Sequence, residues 1–329
     1  MIKMHFTGNI RIMLKYLNLV RWTNLLIVIA TLCVMRWFIL KPLLEYAGYP
    51  LLFSEWRFIL LVLSAAFYTA AGYVINDYFD TQTDYLNRPE RVIVGKGVAR
   101  RQAMILHFAL NIIAAALGIY IAFYIRIPAL AIICILLPGI LWFYSTTYKR
   151  QLIIGNVIVA ILTALVPLSV FLSEMPLQIR QHGELLLSNH AFVNIIFYWI
   201  AGFAFFAFIL TLIREIVKDI EDFEGDAAFG RNSLPVVIGI QSTKFVLYLL
   251  SAITIFAIIV LYTKFLNDLL SLFYFIIFLI GPLAFVIFQI YRAKERKDYS
   301  LISLLIKIVM LSGLAYALLV NIILRNKLF

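Results

Sequence analysis

Asn76-Asp77-Tyr78-Phe79-Asp80-Thr81-Gln82-Thr83-Asp84 places three carboxylates and a carboxamide directly after the apolar run 58–75. Continued as a helix, the stretch stacks Asp77, Asp80 and Asp84 at i, i+3 and i+7, with Asn76 one turn before Asp80, so one face carries four oxygen donors. Such a face repels itself unless a cation sits against it. The spacing recurs 142 residues later, where Asp219, Asp222 and Asp226 follow the apolar run 192–213 with the same phasing. Clustered hard oxygen donors suit Mg²⁺, which keeps several waters and shares carboxylates with substrate phosphates, so the implied substrate is a phosphate ester or diphosphate. A solvated interhelical loop accounts for one acidic cluster, whereas two with identical phasing argue for one site with two walls.

Basic residues accompany both stretches: Arg88, Arg91 and Lys96 after the first, Arg214 and Lys218 at the second, and Lys149 and Arg150 between them. A diphosphate carries more charge than one Mg²⁺ neutralises, so guanidinium and ammonium donors beside the carboxylates are what its binding requires. Topology alone also places cations in such loops.

The elements that must position these residues are membrane helices. The 329 residues are 64% hydrophobic and 14% charged, with a mean hydropathy of +0.98, far from ordinary soluble composition. Continuous, non-alternating apolar runs disfavour a barrel. Spans of about 20 residues read as 25–40, 57–76, 104–124, 128–147, 152–172, 191–213, 244–263, 269–291 and 301–324, with prolines 128, 138, 167 and 282 marking kinks within or at the ends of runs. Residues 1–21 are basic and mildly amphipathic, which predicts a helix on the membrane surface and not a cleaved signal. Of 28 Lys and Arg residues, 19 fall on the side shared by the N-terminus and the loops after even-numbered spans. That side is expected to be cytoplasmic, in a cell (inner) membrane, and it includes the acidic loops 81–103 and 214–243. Residues 173–190 are expected on the opposite side. The net charge of +11 is then mainly an orientation signal, with some attraction for anionic lipid.

Other chemistries lack their residues. Cys33 and Cys134 lie inside apolar runs, and the four histidines are scattered without ligand spacing. No nucleophile elbow or phosphate-binding glycine loop is present, no motif supports nucleic-acid binding, and nothing requires a protein partner. A transporter would carry its ionisable groups near mid-membrane on broken helices, whereas these sit at helix ends.

The first stretch matches the Asn-Asp-x-x-Asp-x-x-x-Asp motif of the UbiA superfamily of intramembrane prenyltransferases at every fixed position. Asp222-Phe223-Glu224-Gly225-Asp226 matches its second motif, Asp-x-x-x-Asp, and Asp219 extends it. The nine spans and Tyr144-Ser145 through Lys149-Arg150 also resemble the family. The resemblance implies an all-α bundle of nine transmembrane helices around a central cavity, a single membrane domain over 1–329. It also implies an isoprenoid diphosphate held through Mg²⁺ by Asn76, Asp77, Asp80, Asp84, Asp219, Asp222 and Asp226. Of these, Asp77, Asp80, Asp219 and Asp222 are expected to be indispensable for turnover. Arg88, Arg91, Lys149, Arg150 and Lys218 would hold diphosphate oxygens, and Arg21, Asn24 and Lys96 are candidate acceptor contacts. Arg214 to Asp226, Ser233-Leu234-Pro235 and Asn87-Arg88-Pro89 look most like the branch that prenylates geranylgeranylglycerol phosphate. Arg91-Val92-Ile93-Val94-Gly95-Lys96 departs from the usual Arg-Pro-Ile-Pro-Ser-Gly. Quinone-pathway enzymes that prenylate 4-hydroxybenzoate or dihydroxynaphthoate share the fold and metal site, so an aromatic acceptor is the alternative.

Overall fold

The computed structural model describes residues 13–188 and 190–327, and no side chain at 91, 184–191 or 325–327. Among the described residues nine helices are long and apolar enough to cross a membrane: α1 (Trp22–Tyr46), α2 (Glu55–Phe79), α3 (Arg100–Tyr124), α4 (Pro128–Arg150), α5 (Ile154–Gly183), α6 (Phe192–Glu221), α7 (Ile240–Leu266), α8 (Leu269–Arg292) and α9 (Arg296–Leu324). No strand is present among them. The chain is an integral membrane protein.

The chain divides into two compact units. The first takes the chain to Leu32, then Leu52–Tyr148 and Ser173–Gln181. Here α2 packs against both α3 and α4. The helices α3 and α4 also pack together, and a small residue permits their approach: a side chain at Gly118 would meet Cys134 Sγ at 2.6 Å. Several buried polar groups find partners across the helices, as membrane burial favours. Ser64 donates to the Ala114 carbonyl at 2.8 Å, and Tyr68 to that of Cys134 at 2.6 Å. His107 is 2% exposed and meets the Ala71 carbonyl at 3.0 Å, while Trp142 stands edge-on to Phe79 at 5.5 Å. These contacts fix the end of α2 that leads into the first acidic stretch.

Residues 13–19 are helical; the part of the expected surface helix before them lies outside the described residues. Leu19 is fully buried with Val74, Val94, Val98 and Ala103, whereas Met13 and Leu14 on the same helix are exposed. The segment therefore seals the ends of α2 and α3 as well as presenting an apolar face outward.

One expected loop is helical. Residues 173–190 lie between the expected fifth and sixth spans, yet the helix that begins at Ile154 runs to Ser188, bent at His182. Glu174 explains it, because this fully buried carboxylate accepts from the Leu52 and Phe53 amides at 2.7 and 3.0 Å and from Gln178 Nε2 at 2.8 Å. Glu174 and Gln178, one turn apart, bond to each other inside the first unit and do not break the helix.

The second unit contains Cys33–Leu51, Lys149–Leu172 and the chain from His182 onward. In it α6 packs against α7 and α9, and α8 packs against α7 and α9. The π-helical turn Met35–Leu40 of α1 packs on α6 and α9.

Candidate functional site: two acidic clusters

The first cluster is built on the end of α2. The α-helix stops at Phe79, but the amides of Asp80, Asp84 and Arg88 still donate to the carbonyls of Asn76, Asp80 and Asp84 at 2.9, 2.8 and 2.7 Å. The short helix Thr81–Asn87 thus continues the turn-by-turn stacking read from the sequence, so Asn76, Asp80, Asp84 and Arg88 follow one another at one-turn intervals. Thr81 Oγ1 donates to the Asp77 and Tyr78 carbonyls at 3.1 and 3.0 Å, closing the junction.

Asp80 is buried, at 6% exposure. Ser145 on α4 donates to Asn76 Oδ1 at 2.8 Å. Arg21 Nη2 meets Asp77 Oδ1 at 2.9 Å, its guanidinium lies 4.7 Å from the Tyr73 ring centre, and Asn24 Nδ2 donates to the Tyr73 hydroxyl at 3.1 Å. Arg21 holds φ at +52°, a left-handed conformation that costs about 1–2 kcal/mol outside glycine. Of the two residues expected at an acceptor, Arg21 thus pairs with the carboxylate face, and Asn24 bonds the hydroxyl of the Tyr73 ring over which Arg21 lies. Arg100, which the sequence reading passed over, lies over the Tyr78 ring at 4.1 Å.

Lys96 is set on its own loop, donating to the Pro89 carbonyl at 2.8 Å above the Tyr85 ring. The departure at 91–96 has a local cause. Residues 93–98 form a tight turn with Gly95 at φ +89° and Val94 1% exposed. The side chain of Arg91 lies outside the described residues.

The second cluster stands at the end of α6. Asp219 Oδ2 accepts from Asn156 Nδ2 of α5 at 2.7 Å. Asp222 occupies the break between α6 and the short helix Phe223–Ala228, and its Oδ1 lies 3.3 Å from Arg296 Nη2 of α9. Asp226 is 5% exposed with Arg231 Nη1 at 3.5 Å. Burial pushes the Asp226 carboxyl above the ordinary carboxylate range, with Arg231 opposing the shift and the Asp222 charge adding to it.

Glu215, one turn before Asp219, takes Arg214 Nη1 at 3.3 Å and the Lys218 ammonium on the same oxygen, Oε1. Lys149 lies within electrostatic reach of Glu215, Asp219 and Asp226. Arg150 enters through its backbone, its carbonyl accepting from the Asn232 amide at 3.0 Å. Ser145, Asn156, Glu215, Arg231 and Arg296 are site residues that sequence reasoning left unassigned. Only Glu215 and Ser145 carried a local signal, one as a carboxylate a turn from Asp219 and the other beside Tyr144.

The donor set is oxygen only, with neither thiolate nor imidazole, which favours a hard divalent cation. Among the described residues no three His, Cys, Asp or Glu side chains converge to cage a metal by themselves. That arrangement fits an ion completed by waters and substrate phosphates, and an ion beside Asp226 would relieve the charge that its burial resists.

The chain is 30% identical over 274 residues to digeranylgeranylglyceryl phosphate synthase of Methanothermobacter thermautotrophicus, covering 81% of this chain and 87% of that protein. A solved digeranylgeranylglyceryl phosphate synthase structure superposes with a TM-score of 0.58 at 21% identity, over 93% of this chain and 99% of that one. A UbiA homologue from Archaeoglobus fulgidus, bound to DMAPP and Mg²⁺, superposes with a TM-score of 0.54 at 20% identity, over 94% and 99%; both show the fold. The UbiA prenyltransferase family matches residues 43–311, and with both acidic motifs at helix ends, this chain belongs to that family.

Proposed function

We propose that this membrane prenyltransferase moves a prenyl group from an isoprenoid diphosphate to the hydroxyl of a prenylated glycerol phosphate. The observation that carries the reading is the pair of oxygen-only clusters, each flanked by cations, in a chain that is similar across 81% of its length to a digeranylgeranylglyceryl phosphate synthase. Mg²⁺ is the proposed metal, supported by the donor chemistry and by its presence with DMAPP in the Archaeoglobus fulgidus homologue. It supplies charge neutralisation to the diphosphate head when bound.

The protein's own part is to hold the leaving group and protect the cation. Asn76, Asp77, Asp80, Asp84, Asp219, Asp222 and Asp226 are the proposed metal-binding residues. Arg88, Lys149 and Lys218 are the proposed diphosphate donors, where preorganised positive charge stabilises the oxygens as the carbon–oxygen bond breaks. Arg91 and Arg150 are further candidates. Ser145 and Asn156 orient Asn76 and Asp219. The acceptor hydroxyl oxygen then bonds the allylic carbon and loses its proton. The Lys and Arg distribution supports a cytoplasmic site.

The test supplies purified protein and Mg²⁺ with geranylgeranyl diphosphate and, separately, geranylgeranylglycerol phosphate, 4-hydroxybenzoate or dihydroxynaphthoate. Mass spectrometry should find the doubly prenylated glycerol phosphate. Product only from an aromatic acceptor overturns the acceptor assignment.

A further inference from the structure

A cleft of about 350 Å³ lies in the first unit, lined by Leu52, Tyr124, Leu177, Arg180 and Gln181. Leu52 precedes α2 and Asp80 follows it, so the cleft and the first acidic cluster stand at opposite ends of a 25-residue helix, about 37 Å apart. That distance exceeds the hydrocarbon thickness of a bilayer, and prenyl transfer does not call on the cleft. Arg180 brings an exposed positive charge to its wall. A second charge lies against Tyr124: the Arg57 guanidinium is 3.6 Å from the centre of that ring and 4.4 Å from the centre of Trp56, and it donates to Ser54 Oγ at 2.9 Å. Among the described residues no carboxylate pairs with either arginine. Glu174, on the helix that carries Arg180, is already taken by the Leu52 and Phe53 amides and by Gln178.

The surroundings belong to a membrane–water boundary. The Trp56 and Tyr120 rings stand 5.8 Å apart, and such aromatic residues collect at headgroup level. From there Trp56, Ile59 and Leu63, at i, i+3 and i+7 on α2, form an exposed apolar stripe that leads into the span. We infer that this cleft binds the phosphate of an anionic bilayer lipid, with Arg180 and Gln181 donating to its oxygens and an acyl chain lying along the α2 stripe. A guanidinium offers several N–H donors in the planar arrangement that phosphate oxygens match, and Arg57 adds positive potential through the Tyr124 wall. A choline headgroup would need open aromatic faces for its cation, and Arg57 already occupies those of Tyr124 and Trp56. The cleft therefore selects lipids whose phosphate charge is not balanced within the headgroup.

The test titrates phosphatidylglycerol, phosphatidylcholine or free glycerol phosphate into the full chain, delipidated in nonionic detergent, and reads the rise in melting temperature and the lipid copies retained in native mass spectrometry. Wild type should gain several degrees from phosphatidylglycerol and retain at least one copy, with a smaller gain from phosphatidylcholine. Arg180→Gln should weaken phosphatidylglycerol binding about tenfold, the loss of a charge-assisted contact, and Arg180→Lys should recover part of it through charge alone. Lys264→Gln, which removes an exposed cation of the second unit, should bind within about twofold of wild type. Equal binding by wild type and Arg180→Gln, or an equal loss in Lys264→Gln, overturns the site. Equal gains from phosphatidylcholine overturn the headgroup selection, and a gain from free glycerol phosphate that matches phosphatidylglycerol overturns a lipid as the occupant.

Discussion

Replacing Glu174 gives the sharpest prediction about the fold, because this carboxylate is fully buried and carries three hydrogen bonds: two from the Leu52 and Phe53 amides and one from Gln178. Glu174→Ala removes the acceptor and leaves two main-chain donors just before α2 without their partner. Each buried unsatisfied donor costs about 1–3 kcal/mol, and the lost side-chain volume adds a cavity, so the variant should lose about 3–5 kcal/mol. Glu174→Gln keeps one acceptor oxygen but turns its NH₂ donor toward an N–H that the other oxygen served, so it should lose about 2–3 kcal/mol, less than alanine. Thermal unfolding of the purified proteins in one detergent, followed by circular dichroism, should order them as wild type, Gln, then Ala, with several degrees between the ends. An alanine variant that melts within a degree of wild type would refute the reasoning and return residues 173–188 to a loop role.

Three further predictions concern the clusters. Asn156→Leu removes the hydrogen bond to Asp219 Oδ2, and turnover should fall by about 10-fold or more while insertion and yield hold; unchanged turnover would remove Asn156 from the site. Lys149→Ala should weaken inhibition by inorganic diphosphate, and an inhibition constant equal to that of wild type would exclude Lys149 from the diphosphate. Single cysteines placed in 81–103 and 214–243, on a background lacking Cys33 and Cys134, should resist an impermeant reagent in intact cells. Labelling of both regions from outside would reverse the orientation.

The apolar runs made all nine spans legible, because membrane burial demands length and composition that nothing else imitates. The phasing of 76, 80 and 84 was also legible, since main-chain hydrogen bonds carry the helical path across the break at Asp80. What escaped is long-range or internally satisfied. Ser145 and Asn156 are ordinary small polar residues until α4 and α5 bring them to Asn76 and Asp219. Glu174 and Gln178 looked like loop because polarity in sequence cannot reveal that a buried partner awaits it. Arg21 read as a candidate acceptor contact, and its left-handed backbone and pairing with Asp77 appear only in three dimensions.

The central claim is that the two acidic clusters together carry Mg²⁺-dependent prenyl transfer. The most direct measurement is product formation by Asp80→Ala and Asp219→Ala, one from each cluster, at saturating Mg²⁺ and geranylgeranyl diphosphate, with wild type assayed with and without excess chelator. The account predicts that each variant inserts and purifies normally yet loses turnover by about 100-fold or more, and that chelator silences wild type until Mg²⁺ is restored. Turnover of either variant within about threefold of wild type, or undiminished product in excess chelator, would contradict it.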